Sequence, residues 1–321
     1  MTQQTPHLLD IDAGMEQMGG ETVAQAVGGD VVRQSQAAAR LAQRQGQAVG
    51  AHPSAGAVAQ QRAGDAAGEA HYLELLSVAN ANFVTADSEN TRNDVVCLLD
   101  VPEHHTEVVY GGVDPAFKRV TDETQLAAVR RRHKLQFPFI LHVGTIEPRK
   151  NIPRLIRAYA RLRARRRLRH KLVLAGGLGW LYQEVFHEIE ATALGDDVVL
   201  TGFVPESDLP ALYSLADVLA WPTLYEGFGL PPLEAMACGT PVVCSNRSSL
   251  PEVVGDAALM FPPNDVDAIT DALERALFDE ATRARLIERG YTRPPLFTWE
   301  LAAQKLFSCF PRARDARRIG K

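Results

Sequence analysis

From Pro138 onward, short apolar runs alternate with amphipathic stretches, and this alternation limits the possible folds more than any other feature of the chain. Strands are predicted at Phe139–Val143, Leu172–Ala175, Val198–Thr201, Val218–Ala220, Val242–Cys244 and Ala258–Phe261. Helices are predicted between them at Ile152–Arg167, Trp180–Ala193, Glu206–Ala216, Pro231–Ala237 and Asp265–Phe278. A strand exposed on one side alternates apolar and polar residues, whereas these runs are continuously apolar. They therefore call for an α/β fold with a parallel sheet covered by helices on both faces. In such a sheet ligands bind past the carboxyl ends of the strands, where the strand order reverses. Chemistry is expected in the strand-to-helix loops.

The chain before Pro138 is different. Among residues 1–70, Ala, Gln and Gly fill 37 positions, Leu, Ile and Val ten, and aromatics none. So little apolar surface cannot offset the entropy of ordering the segment, and low-complexity disorder is expected there. Within it, Thr22–Ala48 has the composition of a loosely held helix but no strong apolar stripe. From His71 the composition becomes that of a folded protein. Asn82–Ala86 reads as a strand, and Ser88 as the N-cap of a helix running to about Leu99. Thr106–Tyr110 reads as a second strand. The turn-rich Gly111–Pro115 and a polar connection containing the basic run Arg130–Lys134 follow.

At 321 residues the chain has room for two domains, or for one with additions. A net charge of −5 excludes a general nucleic-acid binder, which needs a positive surplus. The four cysteines, Cys97, Cys238, Cys244 and Cys309, show no metal or disulfide spacing, so a reducing compartment is expected. No apolar run approaches a membrane span, and no basic patch precedes an apolar stretch near the N-terminus. A cytoplasmic location is the expectation.

Three of the predicted loops fit one ligand. The first, Gly144-Thr145-Ile-Glu-Pro-Arg149-Lys150-Asn151, sets two cations beside a helix start. Backbone N–H groups there already favour an anion, and a guanidinium fork with an ammonium suits a diphosphate. The plain alternative is a solvated pair, although cations at a helix start are unfavourable by about 0.3–1 kcal/mol. The second, Gly176-Gly177-Leu-Gly179, lets a backbone approach closely, but turn geometry alone explains it equally well. The third, Glu226-Gly227-Phe228-Gly229-Leu230-Pro-Pro-Leu-Glu234, places two carboxylates across a loop-to-helix junction. Paired hydroxyls donating to a carboxylate make a strong, charge-assisted contact. A helix-capping Glu234 and a decorative Glu226 are the alternative. Acids embedded in the apolar stretch LPPLEAMACGTPVV favour function.

With these loops in place, the chain resembles the family 4 (group 1) retaining glycosyltransferases of GT-B fold. The matching stretches are GTIEPRKN at Gly144–Asn151, Thr201–Val243 with its E-x7-E element, and Ser248–Asp265. GTIEPRKN looks most like the mannosyltransferase-like branch that builds cell-surface polysaccharides. The resemblance implies a GDP- or UDP-sugar donor, a saccharide or lipid-linked acceptor, and metal-independent transfer with retention. It implies that Arg149 and Lys150 hold the donor diphosphate, Glu226 the transferred sugar and Glu234 the ribose. It puts backbone N–H groups around Phe228–Leu230 against sugar or phosphate and backbone near Val204 against the nucleobase, and it counts Gly144, Thr145, Gly177 and Gly227 among the residues that bind the nucleotide sugar. Thr145 stands where many family members have Arg, so one cation is displaced.

The expected divisions are 1–70 low complexity, 71–136 a remnant of the acceptor half and hinge, 137–298 the donor-binding domain, and 299–321 a crossing helix with a basic tail. The remnant makes the N-terminal Rossmann-like half incomplete. Leu8–Asp12 with Gly19-Gly20 is a weak candidate for its first strand and glycine loop. The crossing helix would then leave Leu301, Leu306, Phe307 and Phe310 exposed. A chain that binds nucleotide sugar or a partner without transferring is one alternative, and a nucleotide-sugar epimerase is another. The run Arg161–Lys171 and the tail Arg312–Lys321 read as solvated faces, with weak peripheral contact to anionic lipid as the alternative. His142 is expected to be packed or hydrogen-bonded, and Trp180 and Trp221 to lie in the core or a pocket wall.

Overall fold

The computed structural model describes Val78 and residues 81–319. The expectations for residues 1–70, including Leu8–Asp12 and Gly19-Gly20, lie outside the described residues. The order begins with β1 (Val84–Ala86), α1 (Glu89–Leu99) and β2 (Thr106–Val108), with β1 and β2 paired in parallel. Ser88 caps α1 as expected, its hydroxyl accepting the Thr91 N–H. Val84, Val95, Leu99 and Val101 form a small core beneath this unit.

The larger unit contains β3 (Phe139–Val143), α3 (Ile152–Arg165), β4 (Lys171–Ala175), α4 (Gln183–Ala191), β5 (Val198–Gly202), α5 (Leu209–Leu215) and β6 (Val218–Trp221). It continues through α6 (Leu230–Ala237), β7 (Val242–Ser245), α7 (Leu250–Val254), β8 (Ala258–Phe261), α8 (Val266–Phe278) and α9 (Glu280–Gly290), before α10 (Trp299–Ile319). All six predicted strands form one parallel sheet in the order β5-β4-β3-β6-β7-β8. Alternate residues feed opposite cores: Phe139, Leu141, Leu219, Trp221, Val242 and Cys244 face one side. Ile140, Val218, Ala220 and Val243 face the other, with α3 and α8 packed over them. Burial on both sides is why these strands are continuously apolar.

Several local expectations are corrected. The polar connection before Pro138 contains a helix, α2 (Glu123–Arg132), which starts on the Asp122 cap and buries Leu126 and Val129. Its apolar stripe is just two residues wide, so its period is weak in the sequence. The predicted Trp180–Ala193 helix begins three residues later, at Gln183, and Trp180 is exposed rather than in the core. The basic run from Arg161 is the largely solvated face expected, and four of its arginines are paired with carboxylates there. Arg161 pairs with Asp267 at 2.7 Å, Arg163 with Asp197 at 2.8 Å, Arg165 with Asp271 at 2.6 Å and Arg166 with Glu274 at 2.6 Å. Three of those acids lie on α8, so charge complementarity joins the two helices above their shared core.

α10 crosses back to the small unit. Lys305 and Arg312 both pair with Glu107 in β2, and Arg312 lies over the Phe83 ring. Leu301, Phe307 and Phe310 are exposed on its outer side, as expected, while Leu306 is partly covered. Among the described residues, no helix is long and apolar enough to cross a membrane.

Candidate active site

The strand order reverses between β3 and β6, because β4 and β5 continue to one side and β7 and β8 to the other. In open parallel sheets ligands bind at such a point, beyond the carboxyl ends of the strands. The loops following β3 and β6 meet there. Leu224 N–H donates to the Arg149 carbonyl at 2.9 Å, and Asn151 Nδ2 donates to the Pro222 and Pro263 carbonyls.

Arg149 and Lys150 occupy a single 3-10 turn, Pro148–Lys150, just ahead of α3. Both turn towards Glu226. Arg149 Nη1 lies 2.7 Å from one Glu226 oxygen and Lys150 Nζ 2.9 Å from the other. Arg149 also donates to the Tyr225 carbonyl at 3.0 Å and to Glu147 at 2.8 Å. Glu226 and Lys150 are both buried, at 2% and 7% exposure, so the pairing is required: either charge alone would be costly there. Burial pulls the Arg149 pKa down, but the charges of Glu226 and Glu147 outweigh it and the net shift is upward.

Beneath this cluster, Lys150 Nζ sits 4.7 Å from the centre of the Trp221 ring, and His142 stacks on the same ring at 5.0 Å. His142 Nδ1 lies 3.0 Å from the Ala220 carbonyl, matching its expected packed role. Burial lowers its pKa to about 4, with Lys150 adding to the fall, so it is neutral at physiological pH. A neutral ring is what the position demands, since an imidazolium would oppose the ammonium nearby.

The Glu226 loop is held by residues that the sequence reading passed over. Glu226 N–H donates to Ser248 Oγ at 2.8 Å, and Ser249 Oγ reaches the Glu226 and Phe228 carbonyls at 3.1 and 2.8 Å. Thr91 Oγ1 donates to the Gly227 carbonyl at 3.3 Å. Two adjacent serines before Leu-Pro-Glu were the available signal, but a serine pair is common in turns. Phe228 packs against Tyr110 and Phe297, so its ring is turned towards the segment that follows β2. Gly229 closes the loop at a φ of 99°, a left-handed conformation that favours glycine, and Leu230 begins α6.

The second glycine loop is explained by backbone approach. A Cβ on Gly176 would stand 2.0 Å from the Gly144 carbonyl oxygen, so a side chain there would prise the two loops apart. Gly177 accepts the Ile146 N–H at 2.9 Å, and Thr145 is exposed at the rim. Val204 is buried against the α5 core.

Glu234 lies one turn into α6 and does not share partners with Glu226. Tyr213 Oη donates to it at 2.7 Å. Burial raises its pKa to about 7, with the charges of Glu206 and Asp114 adding to the rise and the tyrosine bond opposing it. Beside those acids lies a cavity of about 460 Å³, lined by Asp114, Phe117, Lys118, Gln125, Glu206 and Pro210. Neither Glu234 nor Arg149 lines it, but Glu206 and Asp114, whose charges act on Glu234, do.

Residues 127–293 match the family described as glycosyl transferases group 1. The chain is 37% identical over 224 residues to the O-antigen chain mannosyltransferase B of Escherichia coli, covering 70% of this chain and 59% of that protein. It is 34% identical over 251 residues to the serotype-specific mannosyltransferase WbdA of Escherichia coli, covering 76% and 30% respectively. The chain thus spans between 30% and 59% of the length of these relatives. Among solved structures, sucrose-phosphate synthase from Thermosynechococcus elongatus superposes with a TM-score of 0.65 at 27% identity, covering 81% of this chain and 66% of that one. HepE from Anabaena, solved with UDP and glucose, superposes at 0.66 with 20% identity over 75% and 67%, a likeness of fold.

Proposed function

The chain belongs to the group 1 glycosyl transferases and shares their GT-B fold, and on that premise we propose that it moves a hexose from a nucleotide-diphosphate sugar to a saccharide or lipid-linked acceptor. The similarity to two mannosyltransferases of polysaccharide synthesis favours mannose. The observation that carries the reading is the buried Arg149–Glu226–Lys150 cluster at the point where the strand order reverses.

In this reading Arg149 and Lys150 exchange the Glu226 carboxylate for the donor diphosphate. Glu226 is freed to accept hydroxyls of the transferred sugar, and Glu234 accepts those of the ribose. The bond from the anomeric carbon to phosphate breaks as the acceptor oxygen approaches the same face. The acceptor proton passes to the departing phosphate oxygen, and the leaving charge spreads over the diphosphate facing the two cations. Pre-positioned cations stabilise that charge without reorganising, which is the main way such a site accelerates transfer. Glu206 and Asp114 stand beside Glu234, where the nucleoside end of the donor would lie. Arg161, Arg163, Arg165 and Arg166 pair with carboxylates, which favours a solvated face over contact with anionic lipid.

A transfer assay with a panel of sugar nucleotides tests this. Arg149→Ala should lose roughly 10²–10³ in turnover, the usual loss on removing one pre-positioned charge-stabilising group. Near-normal turnover in that variant overturns the assignment. Calorimetric binding of GDP or UDP without transfer marks instead a chain that binds donor and does not catalyse.

A further inference from the structure

Residues on both sides of Glu226 are tied to the smaller unit. The Tyr225 hydroxyl donates to Asp94 of α1 at 2.8 Å, and Thr91 of α1 donates to the Gly227 carbonyl at 3.3 Å. Asn90 Nδ2 adds a contact to the Tyr225 hydroxyl at 3.4 Å. A further attachment comes from α7. Glu252 accepts the backbone N–H groups of Glu89 and Asn90, where α1 begins, at 3.0 and 3.1 Å. Such groups have no partner inside the helix, and a carboxylate there also meets the positive end of the helix dipole. The Tyr110 hydroxyl donates to the same carboxylate at 3.0 Å, from the segment that follows β2.

Glu252 is fixed at its own backbone too. Arg293 donates to the Glu252 and Val253 carbonyls at 2.8 and 2.7 Å. Just before it in the chain, Ser248 and Ser249 bond the Glu226 backbone. The short segment Ser248–Glu252 therefore holds the Glu226 loop at one end and the start of α1 at the other. Because α1 in turn bonds Tyr225 and Gly227, the attachments close into a ring that runs from Glu226 through Ser248, Glu252 and Thr91 to Gly227.

We propose that Glu252 is a positioning residue for Glu226: by seating the start of α1, it makes the smaller unit hold the Glu226 loop in place. What the loop is held for rests on the donor reading above, in which Glu226 receives the transferred sugar. Arg149 and Lys150 stand on a different loop, the turn after β3. Loss of the seat should therefore disturb the sugar more than the diphosphate.

Hydrogen exchange on the full chain tests this, together with calorimetry on GDP-mannose, UDP-glucose, GDP and UDP. In Glu252→Ala the amides of 225–229 should exchange about tenfold faster, as for loss of a hydrogen bond to a charged group. Those of β3 and β6 should keep their rates. Affinity for the sugar nucleotide that wild type binds should fall about tenfold, and that for the matching diphosphate should stay within about twofold. Glu252→Gln, which keeps one of the two acceptor oxygens, should lie between wild type and Glu252→Ala on both readouts. Unchanged exchange at 225–229 overturns the inference. So does a rise that extends equally to β3 and β6, since Glu252 would then support the fold as a whole. A local rise without loss of sugar nucleotide affinity overturns it too, because the seat would not serve the donor. If wild type binds none of the four ligands the donor reading falls, while the exchange rates still decide whether Glu252 holds the loop.

Discussion

The loop end and the helix end of the Glu226–Glu234 element handle a buried carboxylate in different ways. At the loop end two cations reach across from the turn after β3 and meet both oxygens of Glu226. At the helix end Glu234 has the Tyr213 hydroxyl, and burial there favours the protonated acid enough to bring its pKa to about 7. One region answers desolvation with countercharge, the other with a proton. The first suits a ligand that brings its own negative charge to compete for the cations. The second suits a ligand whose hydroxyls donate to Glu234 once it has given up that proton.

Removing countercharge tests this contrast most severely. Lys150→Ala should cost roughly 3 kcal/mol in chemical denaturation, the low end for breaking a buried pair, because Arg149 still faces Glu226. A loss no larger than that of an exposed lysine would show that the cluster is solvated and the contrast false.

The helix end gives a smaller effect that depends on pH. Glu234 binds its proton up to about pH 7 in the folded chain but only to about 4.5, its ordinary value, when unfolded. Between those values the native state holds more protons, so stability should fall as pH rises through that window, by up to ~3 kcal/mol. Glu234→Gln should flatten that slope. A slope unchanged in the variant would place the titration elsewhere. If Glu234 receives the ribose hydroxyls as a carboxylate, wild-type affinity for GDP or UDP should rise through about pH 7.

The smallest effect comes from the tyrosine. Tyr213→Phe should cost about 1 kcal/mol, as for one lost hydrogen bond. Since that bond favours the ionised acid, the pH slope should extend further upward in the variant. A downward move would mean that the tyrosine stabilises the protonated form and would blur the distinction between the two ends.

Much of this architecture could be read without coordinates. Runs such as FILHV and KLVLA are continuously apolar because both sheet faces are covered, so strand number and parallel direction followed from periodicity. Ser88 was identified as a cap because a hydroxyl before a helical pattern satisfies an orphan N–H. Arg149, Lys150, Glu226 and Glu234 stood out as charges set in strand-to-helix loops or apolar surroundings. α2 did not stand out, since two buried side chains in ten residues leave hardly any period.

The chemical types at the site, and the loops that carry them, were thus set by the sequence alone. Partnership was settled by the tertiary structure. Lys150 and Glu226 are 76 residues apart, Tyr213 and Glu234 21, and Ser249 and Glu226 23. No local propensity links such residues: the reversal of strand order between β3 and β6 sets the Lys150 and Glu226 loops side by side, packing of α5 on α6 brings Tyr213 to Glu234, and the turn after β7 brings Ser249 to Glu226.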